Sequence, residues 1–169
     1  MIICVKGDLG NPIQICLSKL ARQNAFANYT GAELVPFATD LDKVCANLLG
    51  SETLPNFVPF NGYNMPYAAF SQSLGQAVES VLGLDIWYLT LINAIKDVLK
   101  RDHIAVVSEI YGIEDAAMLA RHFKDTTIHT VAVINDAPET DYDMCFDLSK
   151  INPTNAAASF CVALLSGDI

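Results

Sequence analysis

A glycine-containing turn near the start of the chain has the layout of a phosphate-binding loop. It begins at Gly7, continues through Asp8 and Gly10, and lies between an apolar stretch and a helical pattern. In such strand–loop–helix units the backbone N–H groups of the loop face the phosphates, and a lysine neutralises their charge. Lys6 is the cation that stands beside this loop in the sequence. The spacing therefore makes Lys6, Gly7, Asp8 and Gly10 candidate cofactor-binding residues.

The same turn lacks the side chains that phosphate chemistry needs. When the pattern G-x-x-x-x-G-K-[ST] is counted from Gly7, its second glycine falls on Pro12, its lysine on Ile13 and its hydroxyl on Gln14. Pro12 has no N–H to offer a phosphate, and Ile13 is apolar where a cation belongs. The alternative interpretation is that the glycines only turn the chain between a strand and a helix.

Strand-like and helix-like segments alternate along the chain, which predicts an α/β fold. We expect a three-layer sandwich with a mostly parallel, five-stranded sheet. Pro36 cannot donate a ladder hydrogen bond, so its strand is expected at an edge, whereas 104–110 is apolar on both faces and is expected inside the sheet. The predicted strands are 2–5, 33–37, 104–110, 128–134 and 144–148, and the predicted helices are 12–25, 40–49, 67–81, 85–100, 113–124 and 153–165.

The segment 51–66 breaks this alternation. It contains three prolines together with asparagine and glycine, and it shows no hydrophobic periodicity. We predict a long irregular loop here, within a single domain that covers 1–169.

The composition excludes several classes of function. Of the 169 residues, 52% are hydrophobic, and 10 basic against 19 acidic residues give a net charge of −9. This balance excludes a general nucleic-acid surface and binding to an anionic membrane. No apolar run approaches the roughly 20 residues of a spanning helix. Five scattered cysteines and three separated histidines predict no zinc site, and they favour reduced thiols in a cytoplasmic protein.

Five segments, taken in chain order, resemble the deoxynucleoside monophosphate kinases, a family of P-loop kinases common in bacteriophages. The first is the strand, loop and helix described above. The fourth is the most specific, because Leu74, Gly75, Val78, Asp85, Ile86 and Trp87 are all in register with the pattern LGTEVGR…DIW. The resemblance implies a P-loop kinase fold over nearly the whole chain. The other three segments are 37–50 (similar to FADPLK…LLG), 65–75 (similar to TPR…LQ.LG) and 106–116 (similar to VISDVRFPNEA).

The sequence departs from this family at its cations. At five positions where the family carries a lysine or arginine for phosphates, this chain has none. Phosphoryl transfer depends on charge stabilisation, and the loss of one donor typically costs about 100- to 1000-fold in rate. The resemblance therefore implies a kinase-like protein without catalytic residues and without a bound cofactor. The five positions are Ile13, Asp42, Tyr67, Ser80 and Tyr111.

Two further kinds of side chain are candidates for the cleft that this resemblance implies. Glu109 falls on the metal-side aspartate of the family and is a weak candidate for Mg²⁺, the alternative being a solvated or helix-capping carboxylate. Tyr63, Tyr67 and Tyr111 are candidate substrate- or partner-binding residues, because aromatic side chains without cations suit an apolar ligand, a bare nucleoside or a protein partner. The alternative for the aromatics is ordinary packing.

Our first hypothesis is a catalytically inactive kinase-like protein that binds a partner protein or a second copy of itself. The resemblance further implies a phage-encoded protein that acts on a host component in the bacterial cytoplasm. One alternative is an active nucleotide kinase with displaced cations, for which Lys6 is the candidate. Another is a sensor that binds a nucleoside or nucleotide without turnover. General nucleic-acid binding and membrane binding are not expected.

Overall fold

The computed structural model describes residues 1–37, 40–50, 55–60, 62–82, 84–134 and 141–169. Strands and helices alternate along them, as predicted. The elements are β1 (Ile2–Lys6), α1 (Gly10–Arg22), β2 (Gly31–Pro36), α2 (Asp40–Leu49), β3 (Phe57–Phe60), β4 (Tyr63–Pro66), α3 (Tyr67–Leu82), a 3₁₀ helix (Leu84–Tyr88), α4 (Leu89–Leu99), β5 (His103–Ser108), α5 (Ile113–His122), β6 (Ile128–Val133), β7 (Met144–Phe146) and α6 (Pro153–Ser166).

The chain divides into two compact units. The first comprises Met1–Phe37 and Ala94–Ile169, and the second comprises Ala38–Asn93, so that α4 begins in the second unit and ends in the first. The prediction of a single domain stays a prediction.

A five-stranded, all-parallel sheet forms the centre of the first unit, which confirms the predicted α/β class. Its strand order is β2-β5-β1-β6-β7. β2 lies at an edge, as Pro36 indicates, and β5 lies between β2 and β1. The central strand β1 is fully buried from Ile2 to Val5, because it has a strand on each side and is covered on both faces. The arrangement is consistent with a three-layer sandwich.

The helices α1 and α6 cover one face of this sheet. Ile13, Leu17 and Ala21 recur at helical spacing on α1 and are buried, as an amphipathic helix requires. α6 contains no charged residue and buries Phe160 in the same cluster. Asn152 caps α6 through its side-chain oxygen, which accepts a hydrogen bond from Asn155 N at 2.9 Å.

The second unit contains a hairpin where we predicted an irregular loop, so that prediction is wrong for 57–60 and 63–66. The strands β3 and β4 pair antiparallel, with Val58 opposite Met65. Pro59 fits because a two-stranded ribbon consists only of edges. The missed signal is the dipeptide Asn61-Gly62, which is typical of a two-residue hairpin turn, and Gly62 has a φ of +81°. The rest of the predicted loop, at 51–54 and Asn61, lies outside the described residues.

Apolar residues of the second unit pack as a small core. Cys45 on α2 and Trp87 in the 3₁₀ helix are both buried. Gly75 on α3 lies against Leu41 on α2, where an added Cβ would stand 3.2 Å from the leucine Cδ2. No single described helix is both long and apolar enough to cross a membrane, and only the bent pair Tyr67–Leu82 with Ile86–Leu99 reaches that length and composition together.

Candidate functional site

A cavity of about 320 Å³ lies at the carboxyl ends of β1 and β5. The connections that follow these two neighbouring strands run in opposite directions along the sheet. The chain passes from β1 through α1 to β2 at one edge, and from β5 through α5 to β6 on the other side of β1. In open parallel sheets, ligands bind at such a topological switch point. We call this cavity the switch-point cleft. It is lined by Gly7, Asp8, Gly10, Asn11, Pro12, Leu34, Ser108 and Glu109.

The connection from β1 to α1 is a tight turn of three residues, Gly7 to Leu9. Gly7 has a φ of +85°, and an added Cβ would stand 2.9 Å from Val133 Cβ, so both its conformation and its neighbour require glycine. Leu9 is fully buried, and its N–H donates to the Gly7 carbonyl at 2.9 Å. The turn is therefore anchored in the core by Leu9, while Asp8 is exposed.

Gly10, the first residue of α1, permits a close approach of this helix to β5. A Cβ added at Gly10 would stand 2.6 Å from Ser108 Cβ and 3.2 Å from Leu34 Cδ1. The two glycines of the loop thus have structural reasons for their positions, which agrees with the alternative interpretation of the motif.

The residues at the key positions of the phosphate-loop pattern lie within the helix rather than in the loop. Pro12 is in the first turn of α1 and lines the cleft. Ile13 is fully buried in the core between α1 and the sheet, and its N–H donates to Leu9 O at 3.0 Å. The position that would carry the lysine therefore points away from the cleft.

The charge of the switch-point cleft is negative. Its lining includes the carboxylates of Asp8 and Glu109 and, among the residues that the structure describes, no lysine or arginine. Lys6 is not part of the lining. Side chains alternate along a strand, so Lys6 shares the face of Ile2 and Cys4, whereas α1 covers the opposite face. The Lys6 ammonium lies 5.9 Å from the ring centroid of Tyr142.

A strained residue and an exposed tyrosine that packs on a buried phenylalanine follow the cleft beyond β5. Glu109 has a φ of +66°, a left-handed conformation that costs a non-glycine residue about 1–2 kcal/mol. Tyr111 follows, and its ring meets that of Phe37 edge to face, with centroids 5.7 Å apart. Phe37 is held at the end of β2 by its N–H, which donates to Ser108 O at 2.8 Å. The side chain of Tyr111 is 77% exposed.

The amino end of α5, next to Tyr111, already holds an anionic group. One oxygen of Asp115, Oδ2, accepts hydrogen bonds from Tyr111 N at 2.8 Å and from Gly112 N at 3.1 Å. Helix amino ends attract anions through such N–H groups. Because Asp115 occupies these two donors, an external phosphate would have to displace a carboxylate of the chain itself.

The structure brings together some of the predicted site residues. Gly7, Asp8, Gly10 and Glu109 line one cleft, and Tyr111 belongs to the same unit. Tyr63 and Tyr67 belong to the second unit, where Tyr63 is 79% exposed on β4 and Tyr67 begins α3.

Sequence reasoning missed three residues that line the cleft. Ser108 is a polar residue at the end of a buried strand, and the rule that ligands bind at carboxyl ends could have found it. Asn11 stands next to Pro12 in the loop motif and could have been found with it. Leu34 gave no signal, because it looks like any other apolar strand residue.

Within the described ranges, no group of three or more His, Cys, Asp or Glu side chains has an arrangement that could hold a metal ion. The two carboxylates of the cleft thus have no third ligand of these types there. All five cysteines are free thiols.

Comparisons of the chain with protein-family models, with curated proteins and with solved structures find no match. The functional argument therefore depends on the chemistry of the cleft itself.

Proposed function

We propose that this chain is a catalytically inactive relative of the deoxynucleoside monophosphate kinases that acts by binding a partner protein. One observation carries the proposal: the switch-point cleft is lined by two carboxylates and, among its described residues, by no lysine or arginine. The kinship with these kinases rests on the sequence resemblance. The same resemblance supports the proposal that the protein is encoded by a phage and acts in the bacterial cytoplasm.

Electrostatics argues against a nucleotide polyphosphate in this cleft. A carboxylate about 5 Å from a phosphate charge repels it by about 1 to 3 kcal/mol near a protein surface. Asp8 and Glu109 both contribute such repulsion. The amino end of α1 offers only about half a positive charge in return, and Pro12 supplies no N–H there. Phosphoryl transfer without cations has no means of stabilising its transition state.

The rim of the cleft favours a protein segment as the ligand. Tyr111 is 77% exposed and Leu34 is 41% exposed, so apolar surface stands beside the two carboxylates. Tyrosines are frequent anchors in protein interfaces, and they bind well beside groups that exclude water. A matching partner would place a lysine or arginine against Asp8 and Glu109 and an apolar side chain against Tyr111.

Calorimetry and a coupled turnover assay test the loss of kinase chemistry. We expect MgATP and deoxynucleoside monophosphates to bind more weakly than about 1 mM, with no turnover. The double variant Asp8→Asn/Glu109→Gln is the matched control, since it removes both charges at nearly constant shape and should strengthen polyphosphate binding. Phosphoryl transfer by the wild type that Lys6→Ala abolishes would overturn the proposal in favour of a kinase with displaced cations.

Capture from a bacterial lysate tests the protein partner. We expect the wild type to retain a host protein that Tyr111→Ala and Glu109→Lys both fail to retain. Tyr63→Ala is the matched control, because it removes a tyrosine of similar exposure from the second unit. A partner that is lost only with Tyr63→Ala would place binding elsewhere and contradict the role of the cleft. Sedimentation of the purified chain tests the predicted self-association separately.

A nucleoside sensor is the second candidate function. The amide of Asn11 and the hydroxyl of Ser108 line the cleft, and its volume of about 320 Å³ lies at the lower end of small-molecule sites, which span roughly 300–1,000 Å³. These neutral groups can hydrogen-bond a sugar or base that carries no phosphate. Binding of a nucleoside, but not of its monophosphate, in the same calorimeter would favour this candidate.

A further inference from the structure

One exposed face of the first unit is built from two helices without an acidic residue, although the chain as a whole is acidic. The helices α1 and α6 form this face, side by side over the sheet. Their charged side chains are Lys19 and Arg22, both in the last turn of α1. Because the net charge of the chain is −9, two copies repel each other least where these helices meet.

The outward side chains of α1 and α6 form two adjacent stripes. Three of them are large and apolar: Ile15 is 47% exposed, Val162 is 65% exposed and Leu165 is 44% exposed. Exposed apolar side chains that lie together, unlike scattered ones, are typical of an interaction surface. We call this surface the α1–α6 face, and it consists of Asn11, Ile15, Lys19 and Arg22 on α1 and Thr154, Ala158, Val162 and Leu165 on α6.

A groove of about 240 Å³ lies between the two stripes. Ile15 and Cys16 of α1 line it together with Thr154 and Ala158 of α6, and among the described residues its lining contains no acidic side chain. Because Ala158 is small, the groove is open beside Ile15 and can receive a branched aliphatic side chain. A second copy of the chain presents such a side chain at the same place, namely its own exposed Ile15.

The two ends of α1 carry opposite charges. Asp8 is exposed in the turn before the helix, and Lys19 and Arg22 are exposed in its last turn. Within the part of the chain that the structure describes, these three side chains form no ion pair. Asp8 and Arg22 are each seven residues from Ile15. A two-fold axis beside Ile15 therefore brings Asp8 of one copy towards Arg22 of the other.

We propose that the α1–α6 face binds a second copy of this chain, with the two α1 helices antiparallel across a two-fold axis beside Ile15. Ile15 of each copy enters the groove of the other, and Asp8 pairs with Arg22 at both ends of the contact. A two-fold interface uses the same surface on both copies, so each of these contacts occurs twice.

The size of the face determines how tightly the copies bind. At 1.5 Å per residue each helix is about 20 Å long, and packed helices are about 8–10 Å apart. The face therefore measures about 20 by 20 Å, which is small beside the roughly 800 Å² per partner of a standard interface. We expect a reversible dimer with a dissociation constant of about 10–100 μM.

Sedimentation equilibrium of the purified chain between about 1 and 300 μM tests the contact. The mass should rise from 18.3 kDa towards twice that value. Ile15→Glu should raise the dissociation constant at least tenfold, because it places two carboxylates beside the axis. Val81→Glu is the matched control, since Val81 is 79% exposed on α3, and it should leave dimerisation unchanged. Circular dichroism at about 1 μM, where the chain is monomeric, shows whether each variant is folded.

Charge reversal tests the antiparallel arrangement. Asp8→Arg and Arg22→Asp each place like charges together at both ends, so each variant alone should dimerise about tenfold more weakly. An equimolar mixture of the two variants restores an aspartate–arginine pair at both ends and should dimerise like the wild type. Lys124→Asp makes the same change in net charge as Arg22→Asp on an exposed residue outside the face, and it should still dimerise.

Three results would overturn the proposal. They are a chain that stays monomeric at about 300 μM, a dimer that tolerates Ile15→Glu, and a mixture of the two charge variants that dimerises no better than either alone. The inference does not depend on the kinase kinship or on capture of a host protein, because purified protein is the only component of the test. Failure here and failure of the proposed function are therefore distinguishable.

Discussion

Gly10 on α1 and Ser108 on β5 touch so closely that a methyl group on the glycine would stand 2.6 Å from Ser108 Cβ. This contact joins the two elements that enclose the switch-point cleft, and it makes Gly10 a packing residue. We expect Gly10→Ala to lower the free energy of unfolding by about 1–3 kcal/mol, because a well-packed site has to move to admit the methyl group. Urea denaturation monitored by circular dichroism measures the change.

A double-mutant cycle checks the cause of that loss. Ser108→Gly removes the atom that the new methyl group would meet, so Gly10→Ala should cost less in its presence than in the wild type. If Gly10→Ala lowered the free energy of unfolding equally in the wild type and in Ser108→Gly, the contact with Ser108 would not be the cause of the loss.

The core position of Ile13 predicts that a lysine there cannot restore a phosphate loop. Ile13 is fully buried, so Ile13→Lys should lower the free energy of unfolding by about 3 kcal/mol or more, since it buries an unpaired charge. MgATP binding should not improve. Ile15→Lys is the matched control, because Ile15 is on the same helix, 47% exposed, and should change stability by only about 0.5 kcal/mol. A stable Ile13→Lys protein with higher ATP affinity would contradict this prediction.

Glu33 on β2 should make the free energy of unfolding depend on pH in the acidic range. Its Oε1 lies 2.6 Å from His103 Nδ1, and its Oε2 accepts from Arg101 at 2.7 Å. Partial burial acts to raise the pKa of Glu33, but the hydrogen bonds from His103 and Arg101 outweigh it and hold the pKa below its usual value of 4.5. The unfolded state therefore binds the proton first, and this contribution is present above about pH 4.5 and is lost as pH falls through the lower folded pKa.

Urea unfolding between pH 3 and 7 tests this for the wild type and Glu33→Gln. At pH 7 we expect a difference under about 1 kcal/mol, because the group is more than a third exposed. The difference should shrink below about pH 4.5. A difference that stays constant down to pH 3 would show that the ion pair contributes nothing.

His129 should change the free energy of unfolding at a higher pH than Glu33 does. Burial lowers the pKa of His129 below 6.5, and Asp143, whose Oδ2 lies 3.9 Å from Nδ1, only partly opposes that effect. The unfolded state then binds a proton more readily than the folded state, so stability should be full above pH 6.5 and decline as pH falls below it. His129→Gln should remove this decline, and thermal melting between pH 5 and 8 compares the two. A wild-type protein whose melting temperature rises as the pH falls from 8 to 5 would contradict this prediction.

Much of the fold follows from apolar patterning. The alternation of segments predicts the parallel sheet, and Pro36 predicts the edge strand, because both depend on local properties of the backbone. The sequence does not predict the hairpin β3/β4, because prolines are evidence against strands, although a two-stranded ribbon accepts Pro59 and Pro66 at its edges.

The candidate site follows from the sequence only in part. Gly7, Asp8 and Gly10 are found by their motif, since a strand, a turn and a helix can be read from local sequence. The direction of Lys6 could not be found in the same way, because it depends on which face of the sheet α1 covers.

The central position of β1 has a consequence for the order in which the sheet can assemble. Its partners along both sides, such as Ala105 and Ile128 opposite Ile2, come more than 100 residues later in the chain. During synthesis on a ribosome, β1 therefore emerges before both of its neighbours and stays unpaired until more than 100 further residues have been made. Pairings this distant in sequence close slowly, so this apolar strand offers a chaperone a long time in which to bind.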